Sequence, residues 1–316
     1  MRFDLVIGAG PLGLSVVKQL QAKGRAVKLA TRSGLASDPS LPCLRLNLLE
    51  PAVVDEARGM RTLFVCSAPA YDRWPQELLP MIDGALALAQ RNGAAIVFAD
   101  NLYAYGPSDA PLNETTPYRA AGPKGEARRA AAERLLAAHA AGTVRSVIVR
   151  ASDFFGPGVE RSYLGLGAFR NVLAGKPVSC LGNPRMPHTL TFIEDFARAL
   201  VNVSEAPECF GEVWHAPSAA ARSLQDMVEL IARECGTASR LRPAPRWLFR
   251  MMGWFSPTMR ELGEVYYQYT QPWVLDSQKY QQRFGDAPTS HELAVRHTLD
   301  ALRAQDAPAS VGSAKV

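Results

Sequence analysis

Gly8, Gly10 and Gly13 sit at the start of the chain in the spacing G-x-G-x-x-G, with Pro11 and Leu12 inside the motif. This spacing suits a dinucleotide. Gly8 allows a tight turn, Gly10 lets the backbone approach a pyrophosphate, and Gly13 lets a helix pack closely on a strand. The helix that follows turns its positive N-terminal end toward the phosphates. Pro11 fits the first helical turn, where a missing N–H costs nothing. A second cluster, Thr31-Arg32-Ser33, lies where such a site meets the adenosine ribose. A ribose 2′-hydroxyl calls for Asp or Glu there, whereas a 2′-phosphate calls for Arg, so these residues favour NADP, with NAD possible. The plainer reading of Arg32 is a solvated surface arginine. Asp100 can act as a base, and His188 and His215 can approach a pocket. Each of the three also reads as a buried, satisfied structural residue.

The elements that must position these residues alternate regularly. Leu5 to Ile7, Ala26 to Ala30, Thr62 to Cys66 and Ala94 to Ala99 read as strands, with a short strand near Leu44 to Leu48. Helices are expected after Gly13, over Pro75 to Arg91 and from about 122 to 141, and a short one over Pro51 to Arg58. The pattern predicts an α/β Rossmann-type fold, a doubly wound parallel sheet of about seven strands. Right-handed crossovers then bring every strand's C-terminal end to one ligand-binding edge. Beyond it, helices near Ser162 to Ala174, Glu194 to Ser204, Ser223 to Glu234 and His291 to Leu302 predict a smaller C-terminal substrate domain. A strand near Glu212 to His215 and the run Trp273 to Asp276 belong to it as well. The expected division is 1–160 for the cofactor and 161–303 mainly for substrate, some strands returning to the main sheet. A disordered tail is expected over 304–316. The stretch Pro245 to Phe255 is apolar and basic and reads as a packed helix, a membrane-surface contact or a substrate lining.

Composition narrows the class. The net charge of +5 over 316 residues, with no long basic run, argues against a dedicated nucleic-acid binder and suits an anionic cofactor. Five scattered cysteines lack metal-type pairing, so no metal is expected and the thiols read as reduced in a cytoplasmic protein. No leader pattern or membrane-spanning run is expected.

Four further segments carry a family resemblance. Tyr105-Gly106 matches the close of a Ser-Ser-x-x-x-Tyr-Gly motif, and Arg150-Ala151-Ser152-Asp153-Phe154-Phe155-Gly156-Pro157-Gly158 follows the sixth strand. His188 to Leu200 looks like the strand and helix leading into a substrate domain, while Pro117 and Lys124-Gly125 sit where a catalytic helix begins. Taken in order over roughly residues 1–300, the chain resembles the extended short-chain dehydrogenase/reductases, the NAD(P)-dependent epimerases, dehydratases and reductases. It departs from them at four places. The glycine spacing is two then three, Asn101 replaces the catalytic Ser, and Ala120 replaces the Tyr of Tyr-x-x-x-Lys. Leu102 and Tyr103 replace the Asp-Glu pair of the dehydratases.

The resemblance implies a cofactor held by Gly8, Gly10, Pro11, Leu12 and Gly13, by Thr31, Arg32, Ser33 and Asn47, and by Ser67, Ala68 and Pro69. Lys124, Ala151 and Ser152 are its expected contacts at the nicotinamide end. With the usual tyrosine absent, Tyr103 is the expected replacement acid and Tyr118 the second candidate. Asn101 is expected to orient a carbonyl, and Lys124 to hold the ribose. An extended chain after the strand would aim Asn101 and Tyr103 to one side. The implied activity is an NADP-dependent oxidoreductase acting on a carbonyl or hydroxyl of a small molecule. The alternatives are a nucleotide-sugar epimerase or dehydratase, or a non-catalytic NADP(H)-binding sensor or scaffold. A homodimer paired through the helices near 75–91 and 122–141 is also implied.

Overall fold

A computed structural model describes residues 2–36, 41–50, 57–243 and 263–306. The helix expected over Pro51 to Arg58, the stretch Pro245 to Phe255 and most of the expected tail lie wholly or largely outside the described residues. The central sheet takes β1 Phe3–Ile7, β2 Val27–Thr31, β3 Cys43–Arg45, β4 Met60–Val65, β5 Ala95–Asp100 and β6 Ser146–Arg150. Two short pairs follow, β7 Phe154–Phe155 with β9 Thr191–Phe192 and β8 Val178–Cys180 with β11 Leu241–Pro243. β10, Val213–His215, returns to the main sheet, which runs β10-β6-β5-β4-β1-β2-β3 with every pair parallel. The strand expected to reach Leu48 stops at Arg45, and Leu46 to Leu49 form a loop wall instead.

Strand alternation decides which side chains face which helices. Phe3, Leu5 and Ile7 of β1, with Ile96 and Phe98 of β5, pack under α2 Trp74–Asn92 and α3 Pro123–Ala140. Val6, Val97 and Val149 point the other way, under α1 Pro11–Ala22 and α5 Ile193–Glu205. A separate apolar cluster joins α4 Leu166–Leu173, α6 Leu224–Cys235 and α8 His291–Asp306 around Phe155 and Phe192. α7, Gln278–Phe284, covers the β10 end. α4 begins later than the sequence pattern suggests, with Gly165 as its extended N-cap, where any Cβ would collide with the Glu160 carbonyl. Trp273 to Asp276 form no strand. Trp273 bridges His188 and Leu275 bridges Leu112, so this segment laces two distant stretches of the chain together.

Two features of this sheet place the site. Strand order reverses between β1 and β4, which opens a crevice at their C-terminal ends. On the other half, register sets Asp100, Arg150 and His215 side by side at the ends of β5, β6 and β10.

Candidate active site at the C-terminal edge of the sheet

The crevice between β1 and β4 holds a cavity of about 270 Å³. Gly8, Gly10, Thr31, Arg32, Asn47, Ser67, Ala68 and Pro69 all line it, together with Glu77 and Met81 of α2. The three glycines serve separate ends. Gly8 has a φ of +107°, and a Cβ there would lie 2.8 Å from the Ser67 Cβ. A Cβ on Gly13 would lie 1.9 Å from the Gly8 carbonyl oxygen, so only glycine lets α1 sit this close to β1. Gly10 has nothing within 4 Å of that position and leaves its side of the backbone open. α1 starts with no side-chain cap and no acid in its first turn, with Pro11 at its head and Leu12 and Gly13 buried behind. Its first amide groups are therefore free for an anion. The residues fit a dinucleotide at its adenosine and pyrophosphate end.

Around this cavity the polar side chains divide into those that brace the loops and one that does not. Thr31 Oγ1 and Ser33 Oγ accept from the Leu35 N–H at 3.1 and 3.3 Å. Asn47 Oδ1 accepts from the Leu49 N–H at 3.2 Å. Arg32 is exposed on the cavity wall and makes no ion pair among the described residues.

At the other end of the edge, the chain leaving β5 does not stay extended. Tyr103–Tyr105 form a single 3₁₀ turn, and Asn101 Oδ1 accepts from the Tyr103 N–H at 3.1 Å. The same-side argument for Asn101 and Tyr103 therefore fails: Asn101 braces the turn that carries Tyr103. Burial pushes the Tyr103 hydroxyl well above the usual phenol range, and the nearby Tyr71 and Asp153 add to that. The Tyr103 ring lies 5.9 Å from Trp74.

Lys124, at the start of α3, is fully buried. Its Nζ lies 3.5 Å from Glu264 Oε2 and 4.8 Å over the Tyr71 ring. The same carboxylate accepts from the Lys124 N–H at 2.7 Å and the Gly125 N–H at 3.4 Å. Glu264 thus caps α3 and neutralises Lys124 together, where the helix end favours negative charge. No local sequence signal points to Glu264, because the contact spans 140 residues.

Asp100 is a buried anchor. Arg150 Nε donates to it at 2.9 Å and Arg128 Nη1 at 3.1 Å. Arg150 also donates to the Tyr118 hydroxyl at 3.1 Å and lies over both the Tyr105 and Tyr118 rings. Tyr118 lines a different, more open cavity with Glu114, Trp214 and Lys279, one that shares no residue with the crevice. His215 donates from Nδ1 to the Asp276 carbonyl at 2.7 Å and accepts at Nε2 from the Tyr105 hydroxyl at 2.8 Å. Burial pushes its pKa down to about 3, against the raising effect of the Asp276 carbonyl and helped by Arg150 and Lys279.

Ala151 and Ser152 follow β6 and are buried, and Ser152 Oγ has no hydrogen-bond partner among the described residues. Neither they nor Lys124 line the crevice cavity. Next in the chain, Asp153 is 19% exposed and its Oδ2 lies 2.9 Å from His188 Nε2. His188 Nδ1 lies 3.2 Å from the Gln268 carbonyl oxygen. His188 stands out in the sequence as a candidate, whereas its carboxylate partner lies inside the Arg150 to Gly158 motif with no signal of its own.

Comparisons with known proteins agree with this architecture. A search of curated proteins found no match. Among solved structures, Pal from Bacillus thuringiensis superposes with a TM-score of 0.77 at 17% identity, covering 96% of this chain and 100% of that one. UDP-glucose 4-epimerase from Thermus thermophilus, in complex with NAD, gives 0.74 at 18%, covering 96% and 99%. DesIV, a dTDP-glucose 4,6-dehydratase from Streptomyces venezuelae with NAD and TYD bound, gives 0.76 at 18%, covering 96% and 97%. At these identities the likeness shows the fold. Residues 5–214 match the model of one family, and the chain belongs to it: the NAD dependent epimerase/dehydratase family.

Proposed function

We propose that this protein is a nicotinamide-dependent oxidoreductase that takes NADP and acts on a hydroxyl or carbonyl group of a small molecule. The observation that carries the reading is the crevice cavity, where Gly10 leaves the backbone open beside an uncapped helix start and Arg32 stands where a 2′-hydroxyl would want a carboxylate. Gly8, Gly10 and the first amide groups of α1 hold the pyrophosphate. Thr31, Ser33 and Asn47 shape the adenosine wall, with Arg32 on the 2′-phosphate and Ser67 to Pro69 opposite. Lys124, fixed by Glu264, together with Ala151 and Ser152 meets the nicotinamide half. A bound nicotinamide supplies hydride exchange with the carbon that bears the substrate oxygen.

Tyr103 donates a hydrogen bond to that oxygen, with Asn101 bracing its turn. Its hydroxyl is raised by burial, which outweighs the lowering effect of a hydrogen bond with Gln268, and the positive charge of Lys124 is neutralised by Glu264. A nucleotide sugar is the favoured small molecule, because the Thermus and Streptomyces proteins with this fold are an epimerase and a dehydratase of such sugars. A homodimer through the outer faces of α2 and α3 is part of the same reading.

The test is a titration of both cofactors. NADPH binds more tightly than NADH, and Arg32→Ala removes about 10- to 100-fold of the NADPH affinity while NADH affinity holds, as a charge-assisted contact of roughly 1.5–3 kcal/mol implies. Equal or tighter binding of NADH to the unmutated protein overturns the NADP assignment.

A further inference from the structure

We infer that Asp153, paired with His188, exchanges the substrate proton in place of the tyrosine that Ala120 replaces. The inference rests on the nicotinamide reading above.

It starts from what each nitrogen of His188 faces. Nδ1 faces the Gln268 carbonyl at 3.2 Å, an atom that can only accept. Nε2 faces Asp153 Oδ2 at 2.9 Å, which in a carboxylate also only accepts. A neutral imidazole has one N–H, and a bare Nδ1 would set its lone pair against the carbonyl oxygen. Nδ1 therefore carries a proton. Nε2 and Oδ2 then need one more between them, either as imidazolium with carboxylate or as neutral ring with carboxylic acid. The pair holds one mobile proton.

His188 is 2% exposed and packs against the Tyr163 and Tyr269 rings, at 4.9 and 6.2 Å, which themselves meet at 4.7 Å, so the pair is held in place. Asp153 is the open end of it. Its Oδ1 has no hydrogen bond among the described residues, and it sits directly after Ser152 at the end of β6. Asp153 also acts electrostatically on Tyr103, Tyr163 and Tyr269, raising all three phenols. An unpaired polar atom neighbours the pair in the chain: Ser152 Oγ is buried without a partner among the described residues, on a residue that is 5% exposed. Such a group is costly unless a ligand completes it.

The step balances as follows. In oxidation, the substrate O–H proton passes to Asp153 Oδ1 while the shared proton moves from Oδ2 to His188 Nε2. The hydride of the same carbon passes to the oxidised nicotinamide, and the O–H electron pair becomes the second bond of the carbonyl. Reduction runs the same transfers backwards. Asp153 is the catalytic group, and His188 is its positioning residue.

The experiment is ¹⁵N NMR of the histidine side chains in the full chain, with His188 assigned by loss of its signals in His188→Gln. Spectra are recorded with NADP⁺ and with NADPH, and cofactor binding is measured separately by fluorescence. We expect Nδ1 protonated in both, and the Nε2 resonance displaced between them, because only the oxidised ring brings a positive charge near the shared proton. Asp153→Asn can turn its NH₂ toward Nε2 and satisfy a neutral ring, so it should abolish the displacement while keeping cofactor affinity. A bare Nδ1, or an Nε2 signal indifferent to the cofactor's redox state, overturns the inference while leaving the cofactor reading intact. If neither cofactor binds, the parent reading fails and this one falls with it.

Discussion

His215 and His188 are both buried at the C-terminal edge of the sheet, both point Nδ1 at a backbone carbonyl, and both have Nε2 within 2.9 Å of an oxygen. They differ in what that oxygen is. For His215 it belongs to the Tyr105 hydroxyl, which can donate, so a neutral ring is fully satisfied. For His188 it belongs to a carboxylate, which cannot donate unless it takes up a proton. One oxygen's chemistry thus separates a fixed structural joint from a site with a proton to exchange. The surroundings follow suit. His215 is enclosed by Arg150, Lys279 and the β10 register, whereas Asp153 keeps an open face beside unpaired Ser152.

The strongest way to break this contrast is Asp153→Asn. With UDP-glucose or dTDP-glucose as trial substrates, single-turnover absorbance of the nicotinamide should slow by about 10²–10⁴-fold, the usual worth of a positioned acid or base. Cofactor affinity should stay within about threefold, since the residue does not line the crevice. Tyr103→Phe should cost less, having lost only a hydrogen bond to the substrate oxygen. If the phenylalanine variant is the dead one and the asparagine variant turns over normally, the proton belongs to Tyr103.

How much of this was readable beforehand depends on range. The crevice was legible, because Gly8, Gly10 and Gly13 impose their roles within six residues and the strand alternation fixes the sheet around them. Asn101 was legible as a polar residue after a strand, but not as a brace, because the strand reads as continuing extended, whereas Asn101 Oδ1 takes the Tyr103 N–H and turns the chain into a 3₁₀ turn. The Asp153–His188 contact joins residues 35 apart, and the Glu264 cap joins residues 140 apart. Nothing local in either sequence neighbourhood encodes such a meeting. Ala120 and Asn101 marked the usual acid as missing, but they gave no direction in which to look for its substitute.

His215 makes a prediction of the opposite kind, about stability rather than turnover. Its pKa is about 3 in the folded protein and near 6.5 in the unfolded chain. As pH falls through 6.5 the unfolded chain takes up the proton first. The neutral ring's contribution is therefore complete above about pH 6.5 and is lost progressively down to pH 3. The whole swing is on the order of 5 kcal/mol, read as urea midpoints against pH. His291, also pushed down by burial, adds in the same direction, so His215→Gln should flatten the curve in part. A curve unchanged by His215→Gln would mean the ring is not held neutral.

The smallest effect, and the sharpest probe of the contrast, comes from Tyr105→Phe. The change removes the hydroxyl that serves His215 Nε2 and leaves that buried acceptor without its donor. An unmet buried acceptor costs about 1–3 kcal/mol at neutral pH. Arg150 beside the ring opposes any added charge, so loss of the donor does not make His215 protonate. The variant should therefore lose stability evenly across pH 7 to 8, while the His188 signals and cofactor affinity stay where they were. If Tyr105→Phe instead moved the His188 Nε2 resonance, the two histidines would be wired together through Arg150 and Asp100, and treating one as a joint and the other as a proton exchanger would fail.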